Sequence, residues 1–438
     1  MMKTLYSLLL LQLLLLSNLI VRGQSIIWGQ IFDSATSDPV SFASITMKNG
    51  HTGYVANEKG EFKISLLGKC DSLFISSMGY ETGSVAIANI QHQKLPVLIK
   101  LIPKNILLGG ISIYPPKVIV QKAIEHVPIN YYQNFFSIEG LYREKVKLDD
   151  KYVGFAESTF SYFDWGYNKE IYNTRLSIHN VNPFLFKQSR RSNYNISLDN
   201  RGFDRKFLHF DNLYFENKFI RDGFFLGDEI DFHEYTFEGV SYFNGQDVYI
   251  ISFKPNSKML EKISKKEKYN HLLAIGTLYI TESDFAIVKF SVVMFNNWYL
   301  NFKRDEFSKI TFFKADVDYT KLDNKYFVDY SRLECKYEEI KTKRQVHEIS
   351  EIFINQRNLH PLESDEYKRY ENIFNWNYFV AEPYRWVMNK YDAEFWKNYF
   401  SVPIEDFKTI QNDLEVDQPL EIQFRNNSEK PLYEGGPK

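Results

Sequence analysis

The chain has 438 residues, 53 basic and 55 acidic, for a net charge of −2, and the two signs are mixed along its length. That mixture excludes the basic face a nucleic-acid binder needs. A 17% aromatic share, with 30 Tyr and 37 Phe, favours half-buried pleated surfaces, so a β-rich protein of two or three domains is expected.

The first residues read as a secretory leader. Lys3 gives a positive start, Leu5 to Leu16 is an apolar run broken by Tyr6, Ser7 and Gln12, and Val21-Arg22-Gly23 precedes the expected cleavage before Gln24. Residues 1–23 are therefore taken as a signal peptide, too short in its apolar part for a retained membrane helix. Its removal takes the net charge from −2 to about −4. No cysteine stands at the start of the mature chain, so a lipid anchor is not expected, and no later stretch reads as a membrane-spanning helix.

Residues 24–103 alternate like a sandwich. Phe62, Ile64 and Leu66 interleave with Glu61, Lys63 and Ser65, the period of a strand with one wet face. Ile26 to Phe32, Val40 to Met47, Leu73 to Ser76, Gly83 to Ile87 and Pro96 to Ile102 are further strands. They are separated by turns at Asp33 to Pro39, Asn49-Gly50, Asn57 to Gly60 and Gly68 to Asp71. Gly60 is expected at a positive φ that ends its turn and aims Phe62 inward, and Gly79 is expected to let the chain bend before Tyr80 packs down.

The spacing Gly29-Gln-Ile-Phe-Asp33, Asp38-Pro39-Val-Ser-Phe-Ala43, Gly53-Tyr-Val-Ala-Asn-Glu-Lys-Gly60-Glu-Phe62 and Ser77-Met-Gly79-Tyr80 resembles the carboxypeptidase-regulatory-like domain, a transthyretin-like sandwich frequent in secreted proteins of Bacteroidota. The resemblance covers about 75 residues. It implies a seven-stranded, non-catalytic accessory module without a zinc site, in which Gly29, Asp33, Pro39, Ala43, Gly53, Gly60, Phe62, Gly79 and Tyr80 are structural. Such modules also precede TonB-dependent receptors, but the remaining length is short for a plug and a barrel of 22 strands.

Residues 104–116, with Pro103, Gly109-Gly110 and Pro115-Pro116, read as a linker. Val120, Ala123, Ile124 and Val127 then mark a short amphipathic helix ended by Pro128, placed to cap a sheet. Across residues 117–400 hairpins follow one another. Ser137 to Leu148 meets Tyr152 to Phe163, and Tyr235 to Phe243 meets Gln246 to Phe253 across Asn244-Gly245. Ile275 to Ile280 meets Ala286 to Met294, Ile310 to Tyr319 meets Tyr326 to Tyr337, and Arg344 to Ile354 follows. Some ten antiparallel strands must curl or close as twist accumulates, so a curved, half-barrel-like sheet with a few covering helices is expected. Gly276 to Lys289 resembles uncharacterised Bacteroidota envelope β-sheet domains, and the architecture resembles, more faintly, periplasmic lipoprotein carriers. Glu363 to Tyr370, Asp392 to Phe400 and Glu405 to Leu414 read as helices, with Asp392 an N-cap. Trp376, Trp386 and Trp396 are expected to cover the sheet, and residues 401–438 form a helical, then polar tail that frays beyond Asp417.

No catalytic or metal constellation is expected. His360-Pro-Leu-Glu363 has a zinc-like local spacing but follows a strand too closely, and His347 and Glu351 share one strand face that reads as solvated. The run Lys262 to Lys268 reads as a solvated hairpin loop, Asn195-Ile-Ser197 and Asn426-Asn-Ser428 fit a glycosylation spacing of little weight in a bacterial setting, and Cys70 and Cys335 read as two buried thiols, with a disulfide as the alternative. The expected function is non-enzymatic binding or assembly in the cell envelope, without cofactor or nucleic acid, and with an envelope protein, a glycan or a lipid as partner. A periplasmic lipid or lipoprotein carrier and a hydrolase with an unassigned site stand as alternatives.

Overall fold

A computed structural model describes residues 25–47, 52–66, 71–90, 96–104, 107–108, 114–164, 166–168, 184–193, 220, 230–264, 273–296, 308–339, 342–360, 391–399 and 402–427. The signal peptide, the helix expected at Glu363 to Tyr370, Trp376, Trp386, Cys70 and the Asn195 site lie outside the described residues.

The N-terminal strands form two facing sheets. β1 (Ser25–Asp33) lies between β4 (Glu61–Leu66), antiparallel, and β7 (Val97–Leu101), parallel, while the second sheet has the order β3 (Gly53–Val55), β2 (Ser44–Met47), β5 (Ser72–Ser76), β6 (Gly83–Ala86). Inward positions bury Ile31, Ala43, Ile45, Phe62, Ile64, Leu73 and Ile75 in one core. Gly29 is dictated by space, because a Cβ there would lie 2.0 Å from the Val97 carbonyl oxygen. Gly60 is dictated by conformation, at φ +70° with its backbone against Ile31 and Val40. Two expectations shift here. The strand expected from Val40 begins only at Ser44, and Ile87 starts a short helix, α1 (Ile87–Ile90), whose Ile87 and Ile90 turn into the core.

The second body is a single open sheet of eleven strands. In sheet order these are β11 (Phe184–Arg191), β10 (Lys151–Asp164), β9 (Phe136–Leu148), β18 (Gln345–Asn358), β17 (Lys325–Glu339), β16 (Ser308–Leu322), β15 (Ile287–Asn296), β14 (Leu273–Thr281), β13 (Gln246–Pro255), β12 (His233–Phe243) and β8 (Leu107–Leu108). β12 to β18 form a meander in chain order, and β18 then receives the β9–β10 hairpin on its free edge. The two-residue turns carry positive φ at both positions in Asp149-Asp150, Asn244-Gly245 and Asp323-Asn324, the twist-matched geometry that such hairpins need.

The segment 104–116 contains β8, which pairs with β12 through Leu107 and Leu108, so the passage between the bodies includes a strand of the large sheet. α2 (Pro116–Glu125) buries Ile119, Val120 and Ala123 against one sheet face, and Pro128 opens a further short helix, α3 (Val127–Asn130), where the sequence predicted only a stop. A proline in a first turn removes an N–H that has no helical partner anyway. α4 (Ser257–Ser264) extends into the first three residues of the charge run, where a loop was expected, and Lys265 to Lys268 lie outside the described residues.

At the C-terminal end α5 (Ala393–Asn398) starts at Asp392, whose side chain accepts from the Phe395 N–H. α6 (Phe407–Leu414) packs on β10. The frayed tail expected beyond Asp417 is instead α7 (Leu420–Asn427), because Leu420 and Phe424, one turn apart, seal against Tyr152 and Phe155 of β10 beside Ile410 and Leu414.

Candidate functional site

β9 is buried along nearly its whole length, which requires cover on both faces. One face belongs to the large core with Ile138, Tyr142, Val146 and α2. The other carries Leu141, Arg143 and Lys145, and here the two bodies and the C-terminal segment meet.

The charges on that face form a ladder. Cross-strand register aligns Arg190 on β11, Glu157 on β10, Arg143 on β9, Glu351 on β18, Arg332 on β17 and Asp316 on β16, so sign alternates over six neighbouring strands. Arg143 and Glu157 are completely buried. Nε of Arg143 donates to Glu157 at 2.8 Å, while Arg190 reaches the other carboxylate oxygen, its Nε at 2.7 Å. Lys145 lies 3.3 Å from both Glu351 and Glu405, and the Tyr330 hydroxyl donates to Glu351 at 2.8 Å.

Burial alone would discharge these groups, and the neighbours reverse it. For Arg143, burial lowers the affinity for its proton, but Glu157, Glu351 and Glu405 raise it further, leaving the guanidinium charged. For Glu157, burial favours the neutral acid, and Arg190 with Arg143 outweighs it, so the carboxyl stays below its ordinary range. Glu351 behaves likewise through Lys145, Arg143 and Arg332, and burial together with Glu351 pushes the Tyr330 hydroxyl well up.

The C-terminal segment closes over this row as a strap, Val402 to Glu405. The remaining nitrogens of the Arg143 fork donate to the main-chain oxygens of Val402 and Pro403. Pro403 O also accepts from Asn57 Nδ2 at 3.2 Å, Glu405 accepts from the Glu58 N–H, and Lys59 Nζ donates to Glu405 O. Val402 packs in a cluster with Val55, Leu141, Tyr330, Phe353 and Trp396, and the Phe42 ring stacks on Tyr330 with centroids 4.8 Å apart. Thr52 bridges to Gln356 close by.

The nine residues singled out from sequence divide between two tasks. Gly29, Ala43 and Phe62 serve the sandwich interior, Pro39 bridges to Phe32, and Asp33 holds the turn after β1 and the Tyr80 hydroxyl. Gly60 closes the turn begun by Asn57, which bonds the strap, so its backbone conformation acts on the joint only indirectly. Gly53 lies beside Arg357 of β18, and Gly79, at φ +85°, donates its N–H to Tyr242 O on β12 at 2.8 Å. Met78 packs into the large core and Lys104 lies 3.5 Å above the Tyr242 ring. The family turns thus face the second body at two places.

His347 and Glu351 do share a strand face, but Glu351 is buried rather than solvated, and the His347 ring bonds Glu334 on β17 at 2.9 Å. Lys145 and the Tyr330 hydroxyl engage Glu351, and Glu334 of the neighbouring strand engages His347. His360 is exposed, with its N–H on Asn358, and Glu363 lies outside the described residues. Cys335 is buried on β17. Trp396 is buried and Arg190 lies 4.6 Å over its ring, so it covers the sheet as expected. Among the described residues no group of three His, Cys, Asp or Glu side chains is arranged to hold a metal ion, and no helix is long and apolar enough to cross a membrane.

Against known proteins, a family model described as a CarboxypepD_reg-like domain matches residues 27–112, the sandwich and the passage out of it. These residues are a carboxypeptidase-regulatory-like domain. No curated protein matches the chain. A crystal structure of a protein of unknown function from Bacteroides fragilis NCTC 9343 aligns over 76% of this chain and 98% of that chain, at 8% identity and a TM-score of 0.15, a likeness too slight to support inference.

Proposed function

We propose that the chain is a non-enzymatic binding or assembly protein of the cell envelope, exported by its leader, in which the sandwich is an accessory module presented on a large open sheet. One observation carries this. The outward face of the β4–β1–β7 sheet displays Ile26 at 43%, Trp28 at 52% and Leu98 at 64% exposure. β1 and β7 are paired so that Gln30 sits beside Leu98, which brings Trp28 and Leu98 onto one face as diagonal neighbours. Scattered apolar residues on a surface are ordinary, whereas several on one strand pair, rimmed by Lys63, Glu61 and Lys100, suit a partner's apolar surface. The buried charges support a structural role by a separate route, since Arg143 pairs with Glu157 and donates to the Val402 and Pro403 carbonyls, while Glu351 pairs with Lys145. A catalytic acid or base needs access to a substrate.

The test is affinity capture from envelope extract with the full chain and its Trp28→Ser/Leu98→Ser variant. A protein held by the wild type and lost by the variant fits the proposal. Lipid co-purifying with both would favour a carrier, and bound metal or turnover of generic esters or peptides would favour a hydrolase; either result overturns the proposal.

A further inference from the structure

We infer that Val402 to Glu405 form a clasp that keeps the sandwich seated on the sheet, and that the sandwich can leave its seat at this end while both bodies stay folded. This is independent of the partner proposed for the outer face of the sandwich.

The sandwich meets the sheet at two places. One is the exit from the domain, where β8 pairs with β12, Gly79 bonds Tyr242 O and Lys104 covers the Tyr242 ring. The other is the turn Asn57 to Lys59 with Phe42 and Val55, set against β9, β18 and β17. β17 and β12 are five places apart in the sheet order. The first place is held by the covalent chain and by strand pairing.

At the second place the direct contacts among the described residues include the Thr52–Gln356 bridge, Gly53 beside Arg357, the Phe42–Tyr330 stack, the Val55 packing and an Arg332–Glu58 approach of 3.9 Å. The strap adds the connection that is shared by both bodies. Pro403 O accepts from Asn57 of the sandwich and Arg143 of the sheet, and Glu405 binds the Glu58 N–H on one side and Lys145 on the other. Val402 fills the apolar pocket made by Val55 of the sandwich with Leu141, Tyr330 and Phe353 of the sheet. Removing the strap would leave two guanidinium donors of a fully buried arginine without partners, so water has to enter at the seam. The interior cores of the two bodies share no residue with that pocket.

The experiment is hydrogen exchange read by mass spectrometry on the full chain carrying Val402→Asp/Glu405→Lys, with Lys408→Glu on the exposed side of α6 as the control. Amides of residues 52–57 and 351–357 are expected to exchange ~10-fold faster in the double variant, while β1 and β16 keep wild-type protection and the control matches wild type. Faster exchange confined to 391–427 would show a strap that peels from a sandwich still seated, and overturns the inference. Loss of protection in β1 and β16 together with the seam would make the strap part of one common core, and overturns it equally.

Discussion

The Tyr80 hydroxyl donates to Asp33 Oδ2 at 3.0 Å, joining residues 47 positions apart at the two ends of the sandwich pattern. The other oxygen of Asp33 accepts from the N–H groups of Ala35 at 2.7 Å and Thr36 at 3.1 Å. These bonds, the backbone ones first, hold the Asp33 carboxyl below its ordinary range, and burial with Asp33 pushes the Tyr80 hydroxyl up to about 12. Tyr80→Phe removes one donor and Asp33→Ala removes the acceptor of all three bonds. Urea unfolding should rank the variants wild type, Tyr80→Phe, Asp33→Ala in falling stability; the reverse order of the two variants would show that the turn does not depend on the carboxylate.

Arg143 is the member of the ladder with the most dependents. Arg143→Met leaves Glu157 with Arg190 alone and strips donors from the Val402 and Pro403 carbonyls. Breaking a buried pair from one side costs about 3 to 5 kcal/mol. Arg143→Lys should recover little, since one ammonium on a flexible stem cannot reproduce a planar fork that reaches a carboxylate and two carbonyls at once. Guanidinium unfolding of the three proteins checks it, and a lysine variant as stable as wild type would refute the fork argument.

Glu334 gives the fold an acid-sensitive contact. Its carboxyl is lowered from 4.5 to about 2, first by the His347 ring nitrogen, with burial opposing and Arg332 and Lys336 assisting. A carboxyl depressed in the folded state contributes stability above its unfolded pKa and loses it as pH falls through the folded one. The stability advantage of wild type over Glu334→Gln should therefore be present above about pH 4.5 and decay toward pH 2. Chemical denaturation at a series of pH values reads it directly. An advantage that persisted at pH 2 would mean the contact is not electrostatic.

The hairpins were legible because turn chemistry and alternation coincide, as at Asn244-Gly245, where the flanking strands run from His233 and to Pro255. The ladder was not legible, and the reason is a bulge. Tyr152 pairs with Lys147, yet Gly154 pairs with Val146, so the extra residue Val153 shifts the hairpin by one and sets Glu157 opposite Arg143. Without it Arg143 would oppose Ala156, and Glu157 would point to the other face. The pairing of β18 with β9 spans some two hundred residues and has no local signature. The strap eluded the sequence reading for a related reason. Val402-Pro403-Ile404-Glu405 has no periodicity of its own, and its partners lie about 260 and 346 positions away. The Asn57 turn was expected as a scaffold feature, and only the three-dimensional arrangement gives it a second task at the joint.

Phe42 and Tyr330 supply a direct measure of the coupling between the bodies. Phe42 adopts φ +54°, a conformation uncommon for a large side chain, and its ring lies at 19° to that of Tyr330. A double-mutant cycle of Phe42→Leu with Tyr330→Leu should show a coupling of about 0.5 to 1.5 kcal/mol, the range for paired rings beyond area burial. Tyr330→Phe separates the two roles of that residue. It keeps the ring under Phe42 and removes the hydroxyl that donates to Glu351 at 2.8 Å, so its cost, about 1 to 3 kcal/mol for a buried acceptor left short of a partner, should add independently to that of Phe42→Leu. Additivity in the first cycle would mean that the stack does not hold the sandwich. Coupling in the second would mean that Phe42 positions the hydroxyl rather than the ring.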